Sequence, residues 1–316
     1  MQMQSFYQKM SDGMEISVNR WIPDKDHNIN GIVQLCHGMM EHAMRYDRLG
    51  SILAENGWIF CAYDQRGHGK TAQKAESDGT GMFGMLAEKD GFNRVTGDLN
   101  EVIIRIKNDF PEKKVVLLGH SFGSFVSQAY IETYGSHIDA CALCGTSGPR
   151  IPLVMAGSFT AHIVALFKGR KYCSPFLKHM AFGSYTKHIS NSVNGLEWLS
   201  RDKSNVQMYM DDKWCGFDPT TGFFCDMAQG LKKIHAASNL KKIPHTLPVL
   251  IAYGSEDPVG DYGKSVKNLF HIYRKNGITD VTLKEYPEDR HEIFNEIDKD
   301  TVTNDFLLWI NSRIKP

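Results

Sequence analysis

The chain has 316 residues, 42% of them hydrophobic and 23% charged, a globular composition with enough apolar material for a sizeable core. Lys+Arg and Asp+Glu both number 36, so no net charge argues for a nucleic acid or an anionic surface as partner. Seven cysteines without framework spacing read as thiols in a reducing compartment, and no basic-then-apolar leader opens the chain, so a cytoplasmic protein is expected.

The opening elements form an antiparallel strand or hairpin: Ile16, Val18 and Trp21 follow the turn residues Asp12-Gly13. A buried run, Gly31 to Cys36, then empties into His37-Gly38-Met39-Met40-Glu41-His42. A strand that ends in His-Gly is where a parallel sheet of this kind builds an oxyanion loop, which nominates the Met39 N–H as a donor. His37, Glu41 and His42 lack the order H-E-x-x-H and a third ligand at helical spacing, so no metal is expected there. A helix over 45–56 stops at Gly57, and strand 58–63 ends in Asp64-Gln-Arg-Gly-His-Gly69. That turn lacks phosphate-loop spacing, and Asp64, Arg66 and His68 read as a hydrogen-bonded structural loop.

A long helix over 91–108 carries Val95, Leu99, Val102, Ile103 and Ile106 on one face, and Pro111 ends the segment. The apolar strand Val115 to Leu118 leads into Gly119-His120-Ser121-Phe122-Gly123, after which the pattern turns helical until Gly135. Strand before and helix after are the context that G-x-S-x-G requires of a nucleophile elbow. They nominate Ser121 as nucleophile and the Phe122 N–H as second oxyanion donor. Strand 138–144 follows, in which Cys141 and Cys144 read as packing rather than a redox pair. Strands alternating with helices imply a mostly parallel sheet flanked by helices.

The alternation then breaks. From Gly148 to about Ala237 there are helical patches and many aromatics but no comparable strand, as expected of a helical cap inserted into a core of residues 1–147 and 238–316. Within it Ile151 to Phe167 is apolar almost all round, a little short for a bilayer span, and is followed by Lys168-Gly-Arg-Lys171. Two readings stand: a buried cap helix, or a lipid-facing or acyl-lining helix with a basic flank. Strands resume at 248–253 and 281–286, each followed by a loop (Gly254-Ser-Glu-Asp257 and Pro287-Glu-Asp-Arg-His291), with a helix over 262–276 between them and a final helix over 297–314.

Asp257 and His291 thus lie past the C-terminal ends of consecutive strands, the edge where open α/β sheets bind ligands. A hydroxyl is a poor nucleophile at neutral pH, so His291 would take the Ser121 proton and Asp257 would orient the imidazole. Glu256, Asp261 and Asp289 are rival acids and His271 a rival base; Pro258, which locks the turn, favours Asp257.

Taken together, His37-Gly-Met-Met-Glu-His42 with Arg45-Tyr46, Asp64-Gln-Arg-Gly-His-Gly69, Gly119-His-Ser-Phe-Gly123, Gly254-Ser-Glu-Asp257 and the His291 loop resemble the monoacylglycerol lipase and lysophospholipase group of serine hydrolases. The resemblance implies an α/β-hydrolase fold, the triad Ser121, Asp257 and His291, oxyanion amides at Met39 and Phe122, and a cap shaping an acyl pocket. The expected substrate is a small acyl ester, with no cofactor, no metal and no nucleic acid, and with possible transient lipid contact through the cap. Met39-Met40 and Ser124 depart from the small residues and glycine usual there, and bear on acyl length and head group. Two rivals are a proline-iminopeptidase-like peptidase, which needs an acidic cap cluster such as Asp211-Asp212 to bind an amine, and a non-catalytic binding protein of the same fold.

Overall fold

The computed structural model describes residues 1–24, 28–190 and 192–314. In chain order its strands are β1 (Gln2–Lys9), β2 (Glu15–Ile22), β3 (Gly31–Cys36), β4 (Trp58–Tyr63), β5 (Val115–His120), β6 (Ala140–Cys144), β7 (Val249–Gly254) and β8 (Val281–Tyr286). Its α-helices are α1 (Asp47–Glu55), α2 (Gly69–Ser77), α3 (Gly91–Asp109), α4 (Phe122–Tyr134), α5 (Ile151–Lys168), α6 (Pro175–Phe182), α7 (Lys203–Asp211), α8 (Thr221–Lys233), α9 (Ala237–Leu240), α10 (Lys264–Lys275) and α11 (Lys299–Arg313). The strands form one sheet in the order β1-β2-β4-β3-β5-β6-β7-β8. β1, β2 and β4 pair antiparallel in turn, while every pairing from β4 to β8 is parallel.

The continuous apolar runs make sense in this setting. β3 to β7 are buried along their whole lengths because helices cover both faces of the sheet. Alternate side chains divide between two cores, since successive Cβ atoms point to opposite faces. Ile32, Leu117, Leu143 and Ile251 meet α3, α4 and α10 through Leu99, Tyr130 and Leu269. Val33, Leu118, Ala142 and Ala252 meet α1 and α11 through Leu53, Phe306 and Ile310. Cys141 belongs to the first core and Cys144 to the second, so their side chains lie on opposite faces of the sheet.

Two elements lie outside the sequence expectations. β1 is an exposed, largely polar edge strand held in register by β2, so it carries little hydrophobic signal. α2 buries only Gly69, Thr71, Ala72 and Ala75, small residues that form no apolar stripe.

Between β6 and β7 stand α5 to α9. α8 packs on α3 and α4, and α5 rides on α8. The buried-helix reading of Ile151 to Phe167 is overturned: along all of α5 only Ser158 and Ala161 are buried. α8 covers one stripe of α5 and α6 a margin of it, and among the described residues much of the outer face is left uncovered. Phe159, Leu166 and Phe167 are 70%, 80% and 79% exposed. By length and hydropathy this 18-residue helix also suffices to cross a membrane.

Candidate active site

Ser121 sits between the last residue of β5 and the first of α4, with φ 52° and ψ −122°, a region that residues with a side chain rarely occupy. The flanking glycines permit the turn by close approach. A Cβ on Gly119 would lie 2.3 Å from Ser127 Oγ, and one on Gly123 would lie 2.0 Å from the carbonyl oxygen of Cys36. The second clash is with the end of β3, so the motif also records how tightly α4 is pressed against the neighbouring strand. The Ser121 N–H donates to the Cys144 carbonyl at 3.0 Å and steadies the elbow.

His291 and Asp257, from the loops after β8 and β7, meet as the strand order leads one to expect. His291 Nδ1 donates to both Asp257 oxygens, at 3.1 and 3.0 Å, and both residues are buried. Asp257 Oδ1 also accepts the Val259 N–H at 2.9 Å, which fixes the carboxylate plane. Burial pulls the His291 pKa down, but the Asp257 carboxylate, helped by Glu292 and Glu41, outweighs it and raises the pKa above its ordinary value. The imidazole lies between His120, ring centroids 4.8 Å apart, and Trp198, 5.0 Å. His120 is pushed the other way by burial and by His291, so it stays neutral beside the imidazole.

The rival residues lie elsewhere. Asp289 is ion-paired with Arg201, Asp261 faces Arg150, and Glu256 and His271 are exposed.

The loop after β3 is shaped by Glu41, whose Oε1 accepts the Gly38 N–H at 2.5 Å and the Tyr46 hydroxyl at 2.9 Å. Among the described residues the N–H groups of Met39 and Phe122 donate to no protein acceptor. Arg45 grips Glu292 with two bonds, at 2.6 and 2.8 Å, and reaches Asn205 of α7 at 3.0 Å. Asn205 donates in turn to Glu292 at 2.7 Å, so the Met39 loop, the His291 loop and α7 share one buried ion pair. Burial works to raise Glu292, yet the Arg45 guanidinium overrides it and holds the carboxyl down to about 2. Burial pushes the Glu41 carboxyl upward against the pull of Arg45, with Glu292 adding to the rise.

His37 and the Asp64 loop are structural in their contacts. His37 Nε2 accepts the Gln65 N–H at 3.0 Å, and Asp64 accepts the N–H groups of Ala43 and Lys70, each at 2.8 Å. Arg66 pairs with Asp98 and Asp12, and burial pushes His68 down to about 4.

A cavity of about 240 Å³ opens from Ser121, Met39 and Phe122. Its far walls are apolar residues of the inserted helices: Leu153, Val154 and Gly157 from α5, Leu177 and Met180 from α6, and Phe224 and Met227 from α8. A recess of about 30 Å³ brings Ser121 and His291 together with Gly38, Met39 and Trp198. A larger surface cleft of about 730 Å³ lies around Asp12, Arg66 and Arg94 and contains none of these residues. His120 and Trp198 were not foreseen from the sequence; Glu292 had a signal in its adjacency to His291, and Trp198 had none.

Residues 27–298 match the family described as serine aminopeptidase, S33. The chain is 27% identical to the monoglyceride lipase of Rattus norvegicus over 308 residues, which covers 96% of this chain and 89% of that one. It is 26% identical to the monoacylglycerol lipase of Mycolicibacterium smegmatis, covering 96% and 95% of the two chains. The crystal structure of a thermostable carboxyl esterase from Bacillus coagulans superposes with a TM-score of 0.89 at 26% identity, covering 99% of both chains.

Proposed function

The chain belongs to the serine aminopeptidase S33 family as an α/β-hydrolase of the monoacylglycerol lipase group, and we propose that this carboxylic ester hydrolase works through Ser121, His291 and Asp257. In this reading Ser121 Oγ attacks the ester carbonyl while His291 Nε2 takes its proton. Asp257 holds the Nδ1 proton in place and stabilises the imidazolium. The N–H groups of Met39 and Phe122 receive the developing oxyanion, each such donor being worth about 3–4 kcal/mol of barrier. His291 returns its proton to the leaving alcohol, and a water then cleaves the acyl-enzyme by the same route. The observation that carries the reading is Ser121 at positive φ, sharing one recess with an imidazole already bound to a buried carboxylate.

The substrate proposed is a monoacylglycerol-like or lysophospholipid-like ester. Residues 148–237 act as the cap, and the apolar cavity beneath takes the acyl chain. The uncovered face of α5, with Lys168, Arg170 and Lys171 beside it, would meet the lipid surface that supplies such substrates. Among the described residues all seven cysteines are unpaired, which supports a reducing, cytoplasmic setting. The aminopeptidase reading is not favoured, because the rat and mycobacterial relatives, matched over nearly the whole chain, are monoacylglycerol lipases. A fluorophosphonate probe should label the wild-type protein, and Ser121→Ala should lose both label and ester hydrolysis. Full labelling of the alanine variant would refute the assignment of the nucleophile.

A further inference from the structure

The loop that carries Met39 meets the inserted helices at a second place, outside the ester cavity. His42 Nε2 donates to Asp212 Oδ2 at 2.7 Å, and Cys215 Sγ joins these atoms in a group whose members all lie within 4.8 Å of one another. Asp212 caps the C-terminus of α7, and the Cys215 N–H donates back to its carbonyl at 3.0 Å. The Trp214 N–H bonds Asp212 Oδ1 at 2.8 Å, so carboxylate and thiol are presented by one braced turn. His42 faces that turn from the core. One imidazole, one carboxylate and one thiol make a three-ligand tetrahedral set with the fourth position left for water.

The geometry is within reach of side-chain rotation. At zinc bond lengths of roughly 2.0–2.3 Å, neighbouring ligand atoms stand about 3.3–3.6 Å apart. His42 and Asp212 would part by less than about 1 Å, and Cys215, within 4.8 Å of both, would swing in by at most about 1.5 Å.

We propose that His42, Asp212 and Cys215 form a binding site for Zn(II) that clamps the Met39 loop to the α7–α8 segment and slows turnover. On binding, the Cys215 S–H bond breaks, its proton leaves to solvent and a Zn–S bond forms, while the His42 proton moves from Nε2 to the unpartnered Nδ1 so that the Nε2 lone pair reaches the metal, with no change of oxidation state. The His42–Asp212 hydrogen bond is exchanged for two bonds to the metal. Because a proton leaves when the thiol binds, affinity rises with pH. The clamp would reinforce an existing tie, the Gly216 N–H donating to the Met40 carbonyl at 3.0 Å. Slowing rests on Met39 acting in the proposed reaction; binding does not.

Calorimetric titration of the full chain with a Zn(II) salt, in two buffers of different ionisation enthalpy, gives the stoichiometry and the proton count. One ion per chain with release of the thiol proton is expected, and Co(II) in its place should give a thiolate-to-metal absorption band. Cys215→Ala and Asp212→Asn should each weaken binding by on the order of 100-fold, while Cys173→Ala, a thiol outside the cluster, leaves it unchanged. Cys215→Ala should hydrolyse a short-chain ester at the wild-type rate yet escape slowing by Zn(II). Zinc binding that survives Cys215→Ala, or wild-type protein that binds no zinc, overturns the site. Binding that leaves turnover untouched overturns the clamp, and loss of ester hydrolysis in Ser121→Ala with zinc binding intact keeps the two proposals separable.

Discussion

Gly157 offers a direct test of whether the cavity takes the acyl chain. It lies mid-way along α5 and lines the cavity wall, and a Cβ added there meets nothing within 4 Å. Leucine at this position can therefore grow into a space of about 240 Å³ without displacing backbone. Helix propensity favours the change by roughly 0.5–1 kcal/mol, so Gly157→Leu should melt at or above the wild-type temperature, which removes misfolding as an explanation. Its four side-chain carbons would exclude about three or four methylenes of a bound chain, each worth about 0.8 kcal/mol. The loss is about 2.4–3.2 kcal/mol, or about 60- to 200-fold in kcat/KM, for chains long enough to reach the residue. Acetate, which ends short of it, should lose almost nothing. The assay is kcat/KM for p-nitrophenyl esters from acetate to dodecanoate. An equal loss at every chain length, or none at dodecanoate, would refute the assignment of this wall to the acyl chain.

Three further outcomes are expected. Asp257→Asn should fold normally and lower kcat by a factor on the order of 10⁴, because the amide favours the wrong His291 tautomer; near-normal turnover would remove Asp257 from its role. His291 must be neutral to act as base, and its pKa is raised by the Asp257 carboxylate. Activity should therefore fall with decreasing pH through a value above the ordinary histidine range, and Asp257→Asn should shift that limb downward in whatever activity remains; a limb at or below the ordinary value would contradict the pairing. Leu166→Glu with Phe167→Glu should cut sedimentation with phosphatidylcholine vesicles several-fold and leave hydrolysis of a soluble butanoate ester unchanged, since neither residue lines the cavity.

The meeting of Ser121, Asp257 and His291 at one sheet edge was legible in the sequence because its parts are local. A strand, a glycine, a serine and a helix must be adjacent in the chain to make the elbow, and the loops holding Asp257 and His291 each follow their own strand directly. The surroundings of that edge are not local. Trp198 reaches His291 across 93 positions and Asn205 reaches Arg45 across 160, contacts that no periodicity records. Arg45 and Glu292 were visible as residues, but their pairing, 247 positions apart, appears only once the Met39 and His291 loops are folded side by side. Even the glycine motif said less than it holds: the closest contact of Gly123 is with Cys36, at the end of another strand.

α5 shows why hydropathy alone could not choose between its two readings. Its composition is the same whether a second layer of protein covers it or a lipid surface does, so the choice depends on how much partner surface the inserted segment supplies. α8 supplies one stripe, taken up by Ser158 and Ala161, while Ala165 and Val164 pack at its margin. Leu153, Val154, Ala156 and Gly157 are turned to the cavity, α6 packs on α5 through Leu177, and much of the remaining face of the helix is exposed among the described residues. Burying a Leu or Phe side chain is worth about 1.5–3 kcal/mol, so the three most exposed of these, Phe159, Leu166 and Phe167, hold several kcal/mol that the folded chain does not collect by itself. A lipid surface would release it while presenting the cavity, on the same helix, to the layer in which long-chain esters reside. One helix would then set both where the enzyme works and which chain it accepts, and the two effects can be told apart because Gly157 and Phe167 face different surroundings.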